Sequence, residues 1–350
     1  MAIINEEQLR AQINERQVSG AYLFYGEETY LKQQYVALLK RKLVDPSFED
    51  FNFHSFDGKD ATIDEILMSA DMLPMMSEYA VTLVHDYPLL RAPSDLEKLQ
   101  AYMTEMPSGT VLVFWYDTVD IADSGKKSTP WDKVIKLFAK QGNAVLFEPK
   151  TPAQLVQRLT AYAARKKVKL NANRAHLLVE TVGTDMQTLM TELEKIIAFV
   201  GESGEITKKD IELLATPSLE ANIFKLSDHI LRGDSTAAFM LLDALLTQNT
   251  AATDIIARLT DCYIDMYRAK CARTEGISEA QVAEDFGYSK RVAWKIGKAA
   301  ANASSYSVQT LRKALDVLAR TDELTKSSPV KERVLLEEML SKLLILRNRA

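Results

Sequence analysis

The sequence predicts an α/β domain followed by an all-α region, and three observations carry that reading. Short apolar runs bounded by Gly, Asp or Pro recur through residues 1–150, with helical stretches between them. Strand signals stop at Thr151. Beyond that point apolar residues recur at the 3.6-residue helical period. Strands separated by helices argue for a mostly parallel sheet covered by helices on both faces.

The elements follow in order. Residues 21–25 form the first expected strand and 29–43 the first helix. Residues 51–56 alternate aromatic and polar side chains, the pattern of a strand near a sheet edge. A helix is expected over 63–72, and strands over 80–84, 110–116 and 144–147. Thr151-Pro152 opens a helix over 151–165, with proline in the first turn where its missing N–H costs nothing. The basic run Arg165-Lys166-Lys167-x-Lys169 ends that helix favourably, since cations suit a C-terminal dipole. Residues 184–200 place Leu189, Leu193, Ile196, Ile197 and Val200 on one helical face. Thr207 with Asp210 resembles a capping box. Thr216-Pro217-Ser218 marks a boundary, after which amphipathic helices are expected over 223–231, 235–248, 252–268, 288–302 and 307–324. The resulting division is 1–150, 151–216 and 217–350, with no internal repeat and no low-complexity tract.

Composition narrows the function classes. At 350 residues, 47% apolar and 26% charged, the chain is long enough for two or three domains with their own cores. No apolar run reaches the roughly 18 to 20 residues of a membrane span, and the N-terminus lacks the basic-then-apolar order of a signal peptide. Cys262 and Cys271 lie nine apart in one helical pattern, which fits neither a disulfide scaffold nor a metal knuckle, so a reducing, cytoplasmic setting is expected. His54, His85, His176 and His229 form no H-x-x-x-H or Cys/His cluster, so neither a metal nor a cofactor is expected. The net charge of −5 divides unevenly, with +7 from Phe286 onward and −12 before it. A basic end on an acidic chain points to a polyanionic partner.

The most informative motif is a damaged one. Residues 22–33 run Tyr-Leu-Phe-Tyr-Gly-Glu-Glu-Thr-Tyr-Leu-Lys-Gln, between a buried strand and a helix. The working phosphate loop is G-x-x-x-x-G-K-[ST]. Gly26 and Lys32 keep the outer glycine and the lysine, but Leu31 stands at the second glycine and Gln33 at the hydroxyl that holds Mg²⁺. A branched Leu31 crowds the space in which backbone N–H groups would wrap phosphates. A second landmark is damaged too. Residues 81–87, Val-Thr-Leu-Val-His-Asp-Tyr, place Asp86 at the metal-binding end of a strand but put Tyr87 where a glutamate base belongs. A plain strand–turn–helix with Gly26 in a left-handed turn is the competing explanation. Gly125-Lys126-Lys127-Ser128 lacks the first glycine and reads as a surface loop. No G-x-S-x-G elbow or other nucleophile motif is present, so no catalytic residue is expected.

Taken together, the ordered motifs make the chain resemble the delta subunits of bacterial DNA polymerase III. The resemblance runs the whole length: residues 23–28 (Leu-Phe-Tyr-Gly-Glu-Glu), residues 72–78 (Met-Leu-Pro-Met-Met-Ser-Glu), Asp185-x3-Leu189-x2-Glu192-Leu193-Glu194-Lys195, Asn222-Ile223-Phe224-Lys225-Leu226 with Gly233-Asp234, and Lys326. It implies an AAA+-like parallel-sheet domain without ATPase activity, a small helical lid and a helical collar domain. It implies the sliding clamp (beta subunit) as partner, with ATPase and delta-prime-type loader subunits joined through the collar, and primed DNA as part of the complex. Such subunits are grouped with DNA-directed DNA polymerase, a nucleotidyltransferase, although nothing in this sequence performs that transfer.

The resemblance maps a clamp-binding plug onto Leu73, Pro74, Met75 and Met76. Met75-Met76 departs from the family's commoner aromatic pair while keeping its apolar character. Packing against the domain's own core is the alternative for these four residues. Arg291, Lys295 and Lys298 share one helical face with Trp294 alongside, which suits DNA phosphates; the alternative is a solvated face with Trp294 in the collar core. The rival functions are an active P-loop ATPase or nucleotide kinase with an atypical loop, and a plain DNA-binding helical protein.

Overall fold

All six strands among the described residues of the N-terminal unit run parallel: β1 (Ile3–Ile4), β2 (Gly20–Tyr25), β3 (Phe53–Asp57), β4 (Ala80–His85), β5 (Thr110–Trp115) and β6 (Asn143–Leu146). Their order is β1-β6-β2-β5-β4-β3. This computed structural model describes residues 3–117, 129–288 and 294–348. Strands β2, β4 and β5 are buried on both faces, which is why they read as unbroken apolar runs rather than alternating ones. Side chains still alternate between two cores. Ala21, Leu23, Leu112 and Phe114 face one, and Tyr22, Phe24, Val111 and Val113 the other.

Helices supply the partners of each face. Against the first pack α4 (Ile63–Ala70), α5 (Pro93–Thr104) and α6 (Trp131–Gln141), through Ile66, Leu99 and Phe138 among others. Against the second pack α1 (Glu6–Asn14) and α2 (Thr29–Leu43), through Leu9, Ile13, Tyr35 and Leu39. The short α3 (Glu49–Asn52) leads into β3 at the sheet edge. The expected 63–72 helix stops two residues early, at Ala70, and it could not continue through Leu73, since the residue before Pro74 is pushed out of the helical region. Strand β1 went unpredicted, since two residues are too few to show a period.

Among the described residues of the second compact unit, Lys150–Ala350, the regular structure is helical apart from one isolated bridge, Lys169 to Glu205. It contains α7 (Pro152–Arg165), α8 (Ala172–Val182), α9 (Met186–Val200), α10 (Lys208–Leu214), α11 (Leu219–Arg232), α12 (Ser235–Thr247), α13 (Ala252–Thr274), α14 (Glu279–Asp285), α15 (Trp294–Asn302), α16 (Val308–Ser327) and α17 (Glu332–Asn348). Thr207 and Asp210 make the expected capping box at α10, and Thr151 makes one with Gln154 at α7. The helix expected over 288–302 differs at its start, for Tyr288 lies outside any helix, after Gly287 in a left-handed turn. One large core joins α11 through α17 around Leu259, Tyr263, Leu318 and Leu340.

Candidate functional site

Residues 22–33, read above as a damaged phosphate loop, fold as a strand–turn–helix whose interior is filled by Lys32. Gly26 follows β2 at φ +109, and a Cβ there would collide with the carbonyl oxygen of Phe147, so only glycine fits. Lys32, on the first turns of α2, is fully buried. Its ammonium has three donors, and each one is used: Nζ donates to the carbonyls of Gly26 at 2.6 Å, Tyr116 at 2.5 Å and Asp117 at 2.8 Å. Burial lowers the Lys32 pKa to about 8 against the opposing pull of Asp117, Asp86 and Glu28. Leu31 is buried in the core with Tyr35 and Phe147, while Gln33 points to solvent. Thr29 Oγ1 also donates to Asp117 O at 2.8 Å, tying α2 to the end of β5 a second time.

At the second landmark, Tyr87 is equally occupied. Its hydroxyl donates to Asp95 Oδ2 at 2.8 Å, and burial together with that carboxylate pushes its pKa up to about 12. Tyr116 OH in turn donates to Tyr87 O at 2.7 Å. Asp86 sits at φ +51 and accepts the Asp117 N–H at 3.1 Å. His85 stacks on Trp115 with ring centroids 3.9 Å apart, and its Nε2 lies 3.4 Å from Asp117 Oδ1 and 3.6 Å from Asp86 Oδ2. His85, Asp86 and Asp117 thus form the one cluster of potential metal ligands among the described residues. Sequence spacing missed it because the strand register, not a short motif, brings β4 and β5 ends together. The two carboxylates act on Lys32, partly offsetting the penalty of its buried charge.

The expected plug is an exposed loop. After α4, Leu73 is 71% exposed, Met75 50% and Met76 80%, with Pro74 half-buried. These side chains therefore do not complete the domain's core. Met68 and Met72 extend the exposed apolar surface. The loop's backbone, by contrast, is fastened. Asn52 bonds both the N–H and the carbonyl of Met75, at 2.7 and 2.8 Å. Gly109, at φ +85, has no Cβ to strike Glu78 O (2.6 Å) or Pro74 Cγ (3.1 Å), so Pro74 nestles against that turn. Tyr79 OH donates to Arg16 O, and Arg16 pairs with Glu78 at 3.5 Å.

The basic face is only partly in view. Arg291 lies outside the described residues, as do Lys290 and the Gly125-Lys126-Lys127-Ser128 loop. Lys295 is paired with Glu220 of α11, and Lys298 Nζ lies over the Phe224 ring at 4.6 Å. Both cations are thus engaged inside their own unit. Glu192, quoted above only as part of a motif, is a buried acid whose role the sequence did not show: it accepts the Thr216 N–H at 2.8 Å and pairs with Lys195 at 2.6 Å. It pins the segment between α10 and α11 to α9.

Comparison with known proteins gives a consistent result. The family described as DNA polymerase III, delta subunit matches residues 22–150, and that described as DNA polymerase III delta subunit, C-terminal domain matches residues 220–343. DNA polymerase III subunit delta of Bacillus subtilis is 26% identical over 330 residues, spanning 94% of each chain. A probable DNA polymerase III subunit delta of Aquifex aeolicus is 21% identical over 274 residues, spanning 76% of this chain and 75% of its own. The solved Bacillus subtilis DNA clamp loader delta protein has the same fold, with a TM-score of 0.64 at 24% identity over 97% of this chain and 99% of that one.

Proposed function

We propose a role that proceeds from one premise: the chain belongs to the DNA polymerase III delta subunit family. In that role it is a clamp-loader subunit that binds the sliding clamp through the 72–76 loop, favours the opened clamp, and hydrolyses no ATP itself. The observation that carries the reading is the pairing of an exposed, fastened apolar loop with a lysine whose three donors are all taken by carbonyls. Burying Leu73, Met75 or Met76 in a partner is worth roughly 1.5–3 kcal/mol each. Moving a two-state clamp from 1:99 to 99:1 takes about 5.5 kcal/mol of differential affinity, which is of the same order. ATP then acts on partner subunits.

The same reading divides the helical unit into a lid, 151–216, and a collar, 217–350, that joins other loader subunits. It is supported by the core that begins at Ile223 and by the non-helical link around Thr216. Primed DNA enters with the assembled loader rather than through Lys295 and Lys298, whose charges meet Glu220 and Phe224. A cytoplasmic location accords with the role. Among the described residues no helix is long and apolar enough to cross a membrane. No observation favours an active ATPase or nucleotide kinase.

Surface plasmon resonance on immobilised clamp tests the loop. Leu73→Ser/Met76→Ser should weaken binding at least a hundredfold, given roughly 3–6 kcal/mol of lost burial. Unchanged affinity would discard the assignment. Titration of the wild-type chain with Mg-ATP should give no binding heat.

A further inference from the structure

Asn52 falls within the run 51–56 expected as a strand, where no role was assigned to it, yet it is the only side chain among the described residues that grips the apolar loop's backbone from both sides. It ends α3, one residue before the edge strand β3, and is fully buried. Its Oδ1 accepts the Met75 N–H at 2.7 Å, and its Nδ2 donates to the Met75 carbonyl at 2.8 Å. The amide's orientation is fixed by these partners, since only this one matches donor to acceptor twice. A side-chain amide thus takes the place of a neighbouring strand for a single loop residue.

The loop has need of such a device. Leu73, Met75 and Met76 are all exposed, so their side chains contribute little to ordering the backbone that bears them. Met76 also sits at φ +52, a region unfavourable for a residue with a Cβ. Ordering such a segment at the moment of docking would subtract from affinity, whereas a segment already ordered in the free protein avoids that loss. We propose that Asn52 is a positioning residue that pre-organises the 72–76 loop for insertion into an apolar pocket of a protein partner. The inference rests on the clamp-binding reading given above.

The test separates the two. In the wild-type chain, amide hydrogen exchange at Met75 should be slowed at least about tenfold relative to an unstructured peptide. Exchange at the unstructured rate would overturn the proposal without any variant. Asn52→Ala should weaken clamp binding about tenfold and release the Met75 amide, while β4 and β5 amides stay protected. In the Leu73→Ser/Met76→Ser background the same change should add less than twofold to whatever binding remains, because nothing is left to position. An equal effect in both backgrounds means a merely structural asparagine and overturns the proposal. So does Asn52→Ala binding like wild type while the serine pair binds weakly, a result that leaves the plug reading intact. If the serine pair itself binds like wild type, the plug reading fails and the proposal falls with it.

Discussion

Lys32 shows how one side chain decides what its loop can do. Its amine keeps the usual pKa of 10.5 in the unfolded chain and about 8 in the folded one. Between those pH values the unfolded state binds the extra proton, so raising the pH favours folding. The stability difference between wild type and Lys32→Met should therefore move in the wild type's favour from pH 8 to 10.5, by up to about 3 kcal/mol. Urea unfolding across that range measures it, and a constant difference would contradict the buried, carbonyl-bound amine. Gly26→Ala should destabilise by roughly 1–3 kcal/mol, from its positive φ and the collision with Phe147 O. The missing Gly and Ser/Thr were legible in the sequence because a motif has fixed spacing. The fate of Lys32 was not, since two of its acceptors, Tyr116 and Asp117, come from 84 and 85 residues away.

At the level of elements, legibility followed length and period. Strands β2, β4 and β5 and helices α2, α7 and α9 stand out because their apolar runs are long enough to show a pattern. Edge strand β3 was readable from its alternation, and it does lie at the sheet edge. What escaped were the ties between elements. Glu192 sits within a recognisable Glu-Leu-Glu-Lys stretch, but its role depends on Thr216, 24 residues on. Replacing it by alanine strands the Thr216 N–H and releases Lys195, so Glu192→Ala should cost about 1–3 kcal/mol, while Glu192→Gln, which keeps the acceptor, should cost less. Chemical denaturation followed by exchange at α9 and α11 amides reports both. The exposed loop was legible as four adjacent apolar residues outside any period; Asn52, which fastens it, was read as part of a strand over 51–56, whereas it ends α3.

For the whole molecule, two compact units each bury their own core. Phe114→Ala, which empties the sheet unit beneath Phe138, should cost about 3–5 kcal/mol there. Exchange at Leu259 and Leu318 in the helical unit should stay at its wild-type rate, and an equal acceleration there would show that the units unfold as one. A larger consequence follows from the tethered lysine. Writing glycine at 31 and serine at 33 would repair the letters of the motif and still leave the ammonium knotted to the end of β5. To open a nucleotide pocket, the chain would have to be re-routed at Tyr116 and Asp117 as well, so that chemistry is closed off by geometry rather than by spelling.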